Sequence, residues 1–145
     1  MAFPTRTLSD AEKEEFIREN RHGILSFAGE DPYAIPLGYM HRKGDLLVGF
    51  GPGRKMGYVE KSRKVCFTIC RPRWFSTKNR ESCTTVIVEG LLEEVKDRDY
   101  YDVKMPASND SHLYVIRPAK VGTKKCLQDP CEFLAGLAKK SGADA

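Results

Sequence analysis

The chain has 145 residues, 41% of them hydrophobic and 30% charged, with a formal net charge of +4. That size and balance fit one domain able to bury its own core without disulfides or metals. No apolar run approaches the ~20 residues that a membrane helix requires, and five scattered cysteines with no C-x-x-C pair argue against a disulfide framework.

The opening Met1-Ala2-Phe3-Pro4-Thr5-Arg6 has no apolar core of a secretory signal, so a cytoplasmic protein with reduced thiols is expected. Ser9-Asp10-Ala11-Glu12 is a capping-box signature. It predicts a helix over residues 9–20 that buries Phe16 and Ile17 and stops at Gly23. Strands are expected at 24–28, then at 33–41 after the turn Gly29-Glu30-Asp31-Pro32. Pro36 cannot donate to a ladder, so it marks an edge, a bulge or a kink. Lys43-Gly44-Asp45 turns the chain into a strand at 46–50. A short helix follows at 54–62, and a strand at 64–70 with Val65, Phe67 and Ile69 on one face and Cys66, Thr68 and Cys70 on the other. A polar loop spans 71–81. A long strand covers 82–95, where Gly90 predicts a bend. Residues 97–105 suit a short helix or an irregular connection, and 113–117 a last strand. Asp129-Pro130-Cys131-Glu132 starts a second capped helix over 129–140, with Phe133, Leu134, Leu137 and Ala138 as its apolar stripe. Short antiparallel strands with helices at both ends predict a small β-barrel or sandwich rather than a doubly wound α/β fold.

Gly49-Phe50-Gly51-Pro52-Gly53-Arg54-Lys55 lies between a predicted strand and a predicted helix. Its glycines let main chain approach a bulky ligand. Arg54 and Lys55 add two cations where free helix N–H groups already favour an anion. Residues 42–80 hold 11 Lys/Arg against Asp45 and Glu60 alone. Such a basic middle suits a bound anion or a nucleic acid, or forms a solvated surface. A dinucleotide fingerprint is not supported, because no βαβ unit follows and Glu60 comes too soon. A nucleotide P-loop is excluded by Met56 after Lys55.

His22 and His41 are candidate proton donors, but a histidine at the end of an element is more often a cap or surface group. His112 has no supporting context, and no zinc site is expected from separated histidines. Thiols such as Cys66, Cys70 and Cys83 serve first as small core residues, and for Cys83 a redox or substrate-contacting role is the alternative. Trp74 and Phe75, in a basic loop from Arg71 to Arg80, would suit base stacking or plain surface anchoring.

The order of these pieces resembles the pyridoxamine 5′-phosphate oxidase-like FMN-binding split barrels, in the branch related to nitroimidazole reductases. The resemblance rests on His22-Gly23-Ile24-Leu25-Ser26-Phe27 and on Pro32-Tyr33-Ala34-Ile35-Pro36-Leu37-Gly38-Tyr39. It continues through Leu46-Leu47-Val48-Gly49-Phe50-Gly51-Pro52-Gly53-Arg54-Lys55-Met56 to Lys64–Ile69 and Ser82–Gly90, covering residues 10–118. It implies a mainly β, six-stranded antiparallel split barrel over 24–118 with flanking helices, forming a single domain. It implies a homodimer with FMN between the subunits. Arg54 and Lys55 would hold the phosphate, and Phe50 and Gly51 would flank the ribityl chain or the ring. Pro36, Leu37 and Gly38 would offer main chain to the ring's polar edge, and Ser82 and Thr84 would arrive from the other subunit. Trp74 and Phe75 could also fold over the partner's flavin. Residues 96–111 make a poorer helix than the family's, and no match exists for the pyridoxamine-oxidase substrate residues.

The expected function is an FMN-dependent oxidoreductase. It would pass electrons from a nicotinamide or protein donor to a small acceptor such as a nitroaromatic or a quinone, with catalytic residues unassigned. Three alternatives stand beside it: an FMN-binding electron carrier without its own substrate, a basic nucleic-acid-binding barrel, and a barrel holding haem or a deazaflavin.

Overall fold

The first capping box forms as its residues predict. In the computed structural model, which describes residues 4–71, 83–104 and 112–127, a short strand β1 (Thr5–Arg6) leads into helix α1 (Asp10–Glu19). The Glu12 N–H donates to Ser9 Oγ at 3.2 Å, and the Ser9 N–H donates to Glu12 Oε1 at 3.0 Å. Arg6 grips the same carboxylate at 2.6 and 2.8 Å. Arg6, with help from Ser9, draws the Glu12 carboxyl from its ordinary 4.5 to about 2. Phe16 and Ile17 are buried, as expected.

Seven further strands follow: β2 (His22–Phe27), β3 (Tyr33–Gly38), β4 (Met40–Arg42), β5 (Asp45–Phe50), β6 (Lys64–Arg71), β7 (Thr84–Glu94) and β8 (His112–Cys126). Helix α2 (Arg54–Lys61) joins β5 to β6. Every ladder is antiparallel, in the order β3-β2-β6-β7-β8-β5-β4, with β1 added to β8.

The strand expected at 33–41 breaks at Tyr39. Its first half, β3, pairs with β2, and its second half, β4, pairs with β5. One stretch of chain thus serves both ends of the sheet, which curls into a half-barrel with eight described strands where six were expected. Tyr39 is held at the break from two sides. Its N–H donates to Arg21 O at 3.0 Å, and its hydroxyl donates to Ile17 O of α1 at 2.6 Å. Among the described residues no ladder joins β3 to the Val48–Phe50 end of β5, and this gap is the split. Pro36 lies on β3, an edge strand, where its missing N–H costs least.

The last strand is longer than the sequence suggested. The strand expected at 113–117 runs as β8 on to Cys126. A β-bulge explains this. The register moves from Glu89↔Lys120 to Gly90↔Pro118, leaving Ala119 as the extra residue. Gly90 permits the close approach, since a Cβ there would lie 2.1 Å from Arg117 O. Residues 98–102 form turns with Asp102 at φ +56°, and no helix occurs over 97–104.

The barrel interior is filled by Leu25, Phe27, Val48, Phe50, Phe67, Ile69, Val86 and Val88, with Phe16 and Ile17 of α1 packed on it. A second cluster of Leu47, Val95, Tyr101, Val103, Leu113 and Val115 lies on the other face of β5 and β8. Val65, Phe67 and Ile69 point inward and Cys66, Thr68 and Cys70 outward, as their alternation predicts. The polar loop with Trp74 and Phe75, Ser82 and the helix expected at 129–140 lie outside the described residues.

Candidate functional site

The two helices among the described residues begin in opposite ways. Helix α1 has a side-chain cap and the acids Asp10 and Glu12 in its first turn. Helix α2 has neither: its N-cap is Gly53, no side chain caps it, and its first turn contains no acid. Gly53 adopts φ +136°, a conformation that side-chain-bearing residues rarely reach. Arg54 and Lys55 follow at once, so the positive end of the helix dipole and two cations coincide.

Arg54 is exposed and well ordered by aromatic contacts. Its guanidinium lies 4.9 Å from the Tyr33 ring centroid and 5.7 Å from that of Tyr58. Arg54 also donates to the Tyr58 hydroxyl at 3.2 Å, chiefly through which its pKa is raised further. Tyr33 and Tyr58 stack at 4.2 Å and 11°, and Phe27 completes the column at 5.9 Å from Tyr33. This column joins β3 to α2 across the split. Lys55 beside it is half-buried.

The other expected site residues fall in two groups. Pro36 and Gly38 are exposed on β3, while Leu37 between them is buried. Phe50 is only 2% exposed, packed against Phe27 and Tyr114, so only its main chain can border the split. Extending the Met40↔Leu47 register past the break would set Leu37 opposite Phe50. Pro36, Leu37, Gly38, Phe50, Gly51, Arg54 and Lys55 therefore line the two sides of one split and the helix that caps it. Thr84 does not join them. Phe50 pairs with residue 112 of β8 and Thr84 with residue 125, at opposite ends of the strand's described ladder. Thr84 is instead buried under α1, by a cavity of about 230 Å³ with Glu12, Glu15, Glu19, Arg71 and Lys125.

The histidines take separate places. The His22 ring lies over Gly38, within 4.0 Å of where a Cβ would sit. His41 Nε2 lies 3.2 Å from Glu14 Oε2 on α1. A larger cavity of about 540 Å³ lies at the Glu93–Val95 end of β7, lined by Arg63, Glu93, Tyr101 and Arg117. On its wall the Tyr101 hydroxyl donates to Asp45 at 2.7 Å, and Arg117 pairs with Glu93 at 3.1 Å. Burial, then Asp45, raises the Tyr101 pKa. Among the described residues, no group of three or more His, Cys, Asp or Glu could hold a metal ion. No described helix is long and apolar enough to cross a membrane.

Sequence reasoning missed Tyr33 and Tyr58 as site residues. The Arg54–Tyr58 spacing of four on a helix was a usable signal. Nothing local indicated Tyr33, which reaches Arg54 only through the closed barrel.

The pyridoxamine 5′-phosphate oxidase profile matches residues 9–103, over half of the chain and including the split and both helix starts. The chain belongs to this family. No curated protein matches it in sequence. Solved structures share the fold. An FAD-binding protein from Mesorhizobium loti superposes with TM-score 0.66 at 24% identity, covering 84% of this chain and 98% of that one. A candidate 5-nitroimidazole antibiotic resistance protein from Bacteroides thetaiotaomicron gives 0.62 at 15% identity, covering 86% and 89%. A haem-binding protein from Mycobacterium smegmatis gives 0.60 at 16% identity, covering 80% of this chain and 54% of that one.

Proposed function

We propose that this family member binds a flavin nucleotide, FMN, and works as an oxidoreductase between a nicotinamide or protein donor and a small nitroaromatic or quinone-like acceptor. The observation that carries the reading is the start of α2. It is a helix N-terminus without cap or acid, reached through a positive-φ glycine and bearing Arg54 and Lys55. That donor set fits a phosphate monoester. Membership of the family and the fold shared with an FAD-binding protein support a flavin over other phosphates.

When bound, the flavin supplies the electron transfer. The chain's part is to bind and orient. Lys55 and the α2 N–H groups hold the phosphate. Tyr33 and Tyr58 fix the Arg54 guanidinium plane so that little rotamer freedom is lost on binding. Edge strand β3 presents the Pro36–Gly38 main chain beside the split, where its outward groups have no strand partner among the described residues. A homodimer, with Ser82 and Thr84 coming from the second copy, is part of the same reading.

The test is FMN titration by flavin fluorescence and absorbance. Lys55→Ala is expected to weaken FMN binding about 10-fold or more, from loss of a charge-assisted bond, while riboflavin, which lacks the phosphate, binds unchanged. Purified protein that is colourless and takes up no FMN overturns the reading. A haem spectrum in its place would assign the split to the other ligand that this fold carries in Mycobacterium smegmatis. Turnover of a nitroaromatic or quinone with a nicotinamide reductant separates an enzyme from an electron carrier.

A further inference from the structure

Two thiols meet where the β7–β8 ladder ends, beside β1. The β7–β8 ladder ends at Thr84↔Lys125. One step further, the Cys126 N–H donates to Cys83 O at 2.9 Å, so the two cysteines face each other across the strands. Thr84 and Lys125 both border the cavity under α1. Their neighbours Cys83 and Cys126 therefore turn together to the opposite face. Both are half-buried thiols. Directly opposed residues of such a pair have Cα atoms about 5.5 Å apart, inside the ~4.4–6.8 Å range of disulfides.

The other described thiols are placed differently. Cys70 pairs with Thr85, which makes it a diagonal neighbour of Cys83 at about 7–8 Å. Beyond about 7 Å a bridge requires backbone movement. Cys66 lies four residues further along β6, opposite Glu89.

We infer that Cys83 and Cys126 form a redox-active dithiol that closes to a cross-strand disulfide in exchange with a small-molecule disulfide. One thiolate attacks a sulphur of the oxidant, whose S–S bond breaks. A mixed disulfide forms and one small thiol leaves with a proton. The second cysteine then attacks the protein sulphur of that mixed disulfide and expels the second small thiol with the other proton. Two protein thiols are oxidised to one disulfide, and one small disulfide is reduced to two thiols. The bond would pin β7 to β8 where β1 also joins β8 through Thr5↔Cys126. This inference is independent of flavin binding.

The experiment uses the full chain, treated with oxidised glutathione, alkylated with iodoacetamide and mapped by non-reducing peptide mass spectrometry. The expected result is one linked pair joining Cys83 to Cys126, lighter by two hydrogen atoms, with Cys66 and Cys70 alkylated and the link lost in dithiothreitol. In Cys126→Ser the reaction is expected to stop with glutathione on Cys83. Wild-type protein in which Cys83 and Cys126 stay separately alkylated or glutathionylated overturns the inference. A link from either one to Cys70 or Cys131 does the same.

Discussion

Gly90 illustrates how one absent side chain shapes this barrel. It is buried on β7 at the bulge, and Arg117 O stands where its Cβ would be. Arg117 O belongs to paired main chain and cannot yield cheaply. Gly90→Ala is expected to lower stability by about 2–3 kcal/mol through overpacking, read as a reduced urea midpoint with unchanged slope. The glycine was recognisable as a bend from its place inside a strand. Its partner was not, because Pro118 lies 28 positions later and meets it only through the ladder. Arg54 gives a parallel case at the site. Its charge was evident from sequence, while its contact with Tyr33 came from the closed sheet.

Helix α1 is fastened to the barrel by groups from distant elements. The Leu8 N–H donates to Thr123 Oγ1 of β8 at 2.9 Å, and Tyr39 at the strand break donates to Ile17 O. Burial pushes the Tyr39 phenol up from 10.0 to about 12. A pKa raised by folding means that the folded state holds the proton more tightly. The associated stability is intact below pH 10 and is lost as pH rises towards about 12. Urea titrations across that alkaline window should show the loss in the wild type and a smaller one in Tyr39→Phe. At neutral pH that variant should be about 1 kcal/mol less stable, from the missing hydrogen bond. An equal alkaline slope in both proteins would place the titrating group elsewhere. The helix itself was legible from Ser9 and Glu12, since a capping box is local chemistry. Its fastening was not.

At the scale of the whole molecule, the outer face of the sheet carries an apolar row that the barrel does not cover. Pro36, Ile24, Thr68 and Ile87 align across β3, β2, β6 and β7. Ile24 is 44% exposed, Ile87 38%, and Leu91 further along β7 55%. In the proposed homodimer a second copy of the chain would cover this row. Ile24→Glu combined with Ile87→Glu is therefore expected to convert a dimer to a monomer in sedimentation equilibrium and to reduce FMN retention. The effect on the monomer's own stability should be small, because both side chains already meet solvent. A dimer that survives these changes would move the interface to another face.

By itself the sequence determined the local geometry of this protein: the capped α1, the inward and outward faces of β6, the bend at Gly90, and the cation-bearing start of α2. Each depends on residues within a few positions of one another, and periodicity and caps act over that distance. Only the tertiary structure decided that the strand at 33–41 is shared between two sheet edges, that β8 continues past Pro118, that Tyr33 and Tyr58 hold Arg54, and that Cys83 faces Cys126. Those features come from strand register and sheet closure. Register depends on the fit of the whole buried face, which no short stretch of chain encodes.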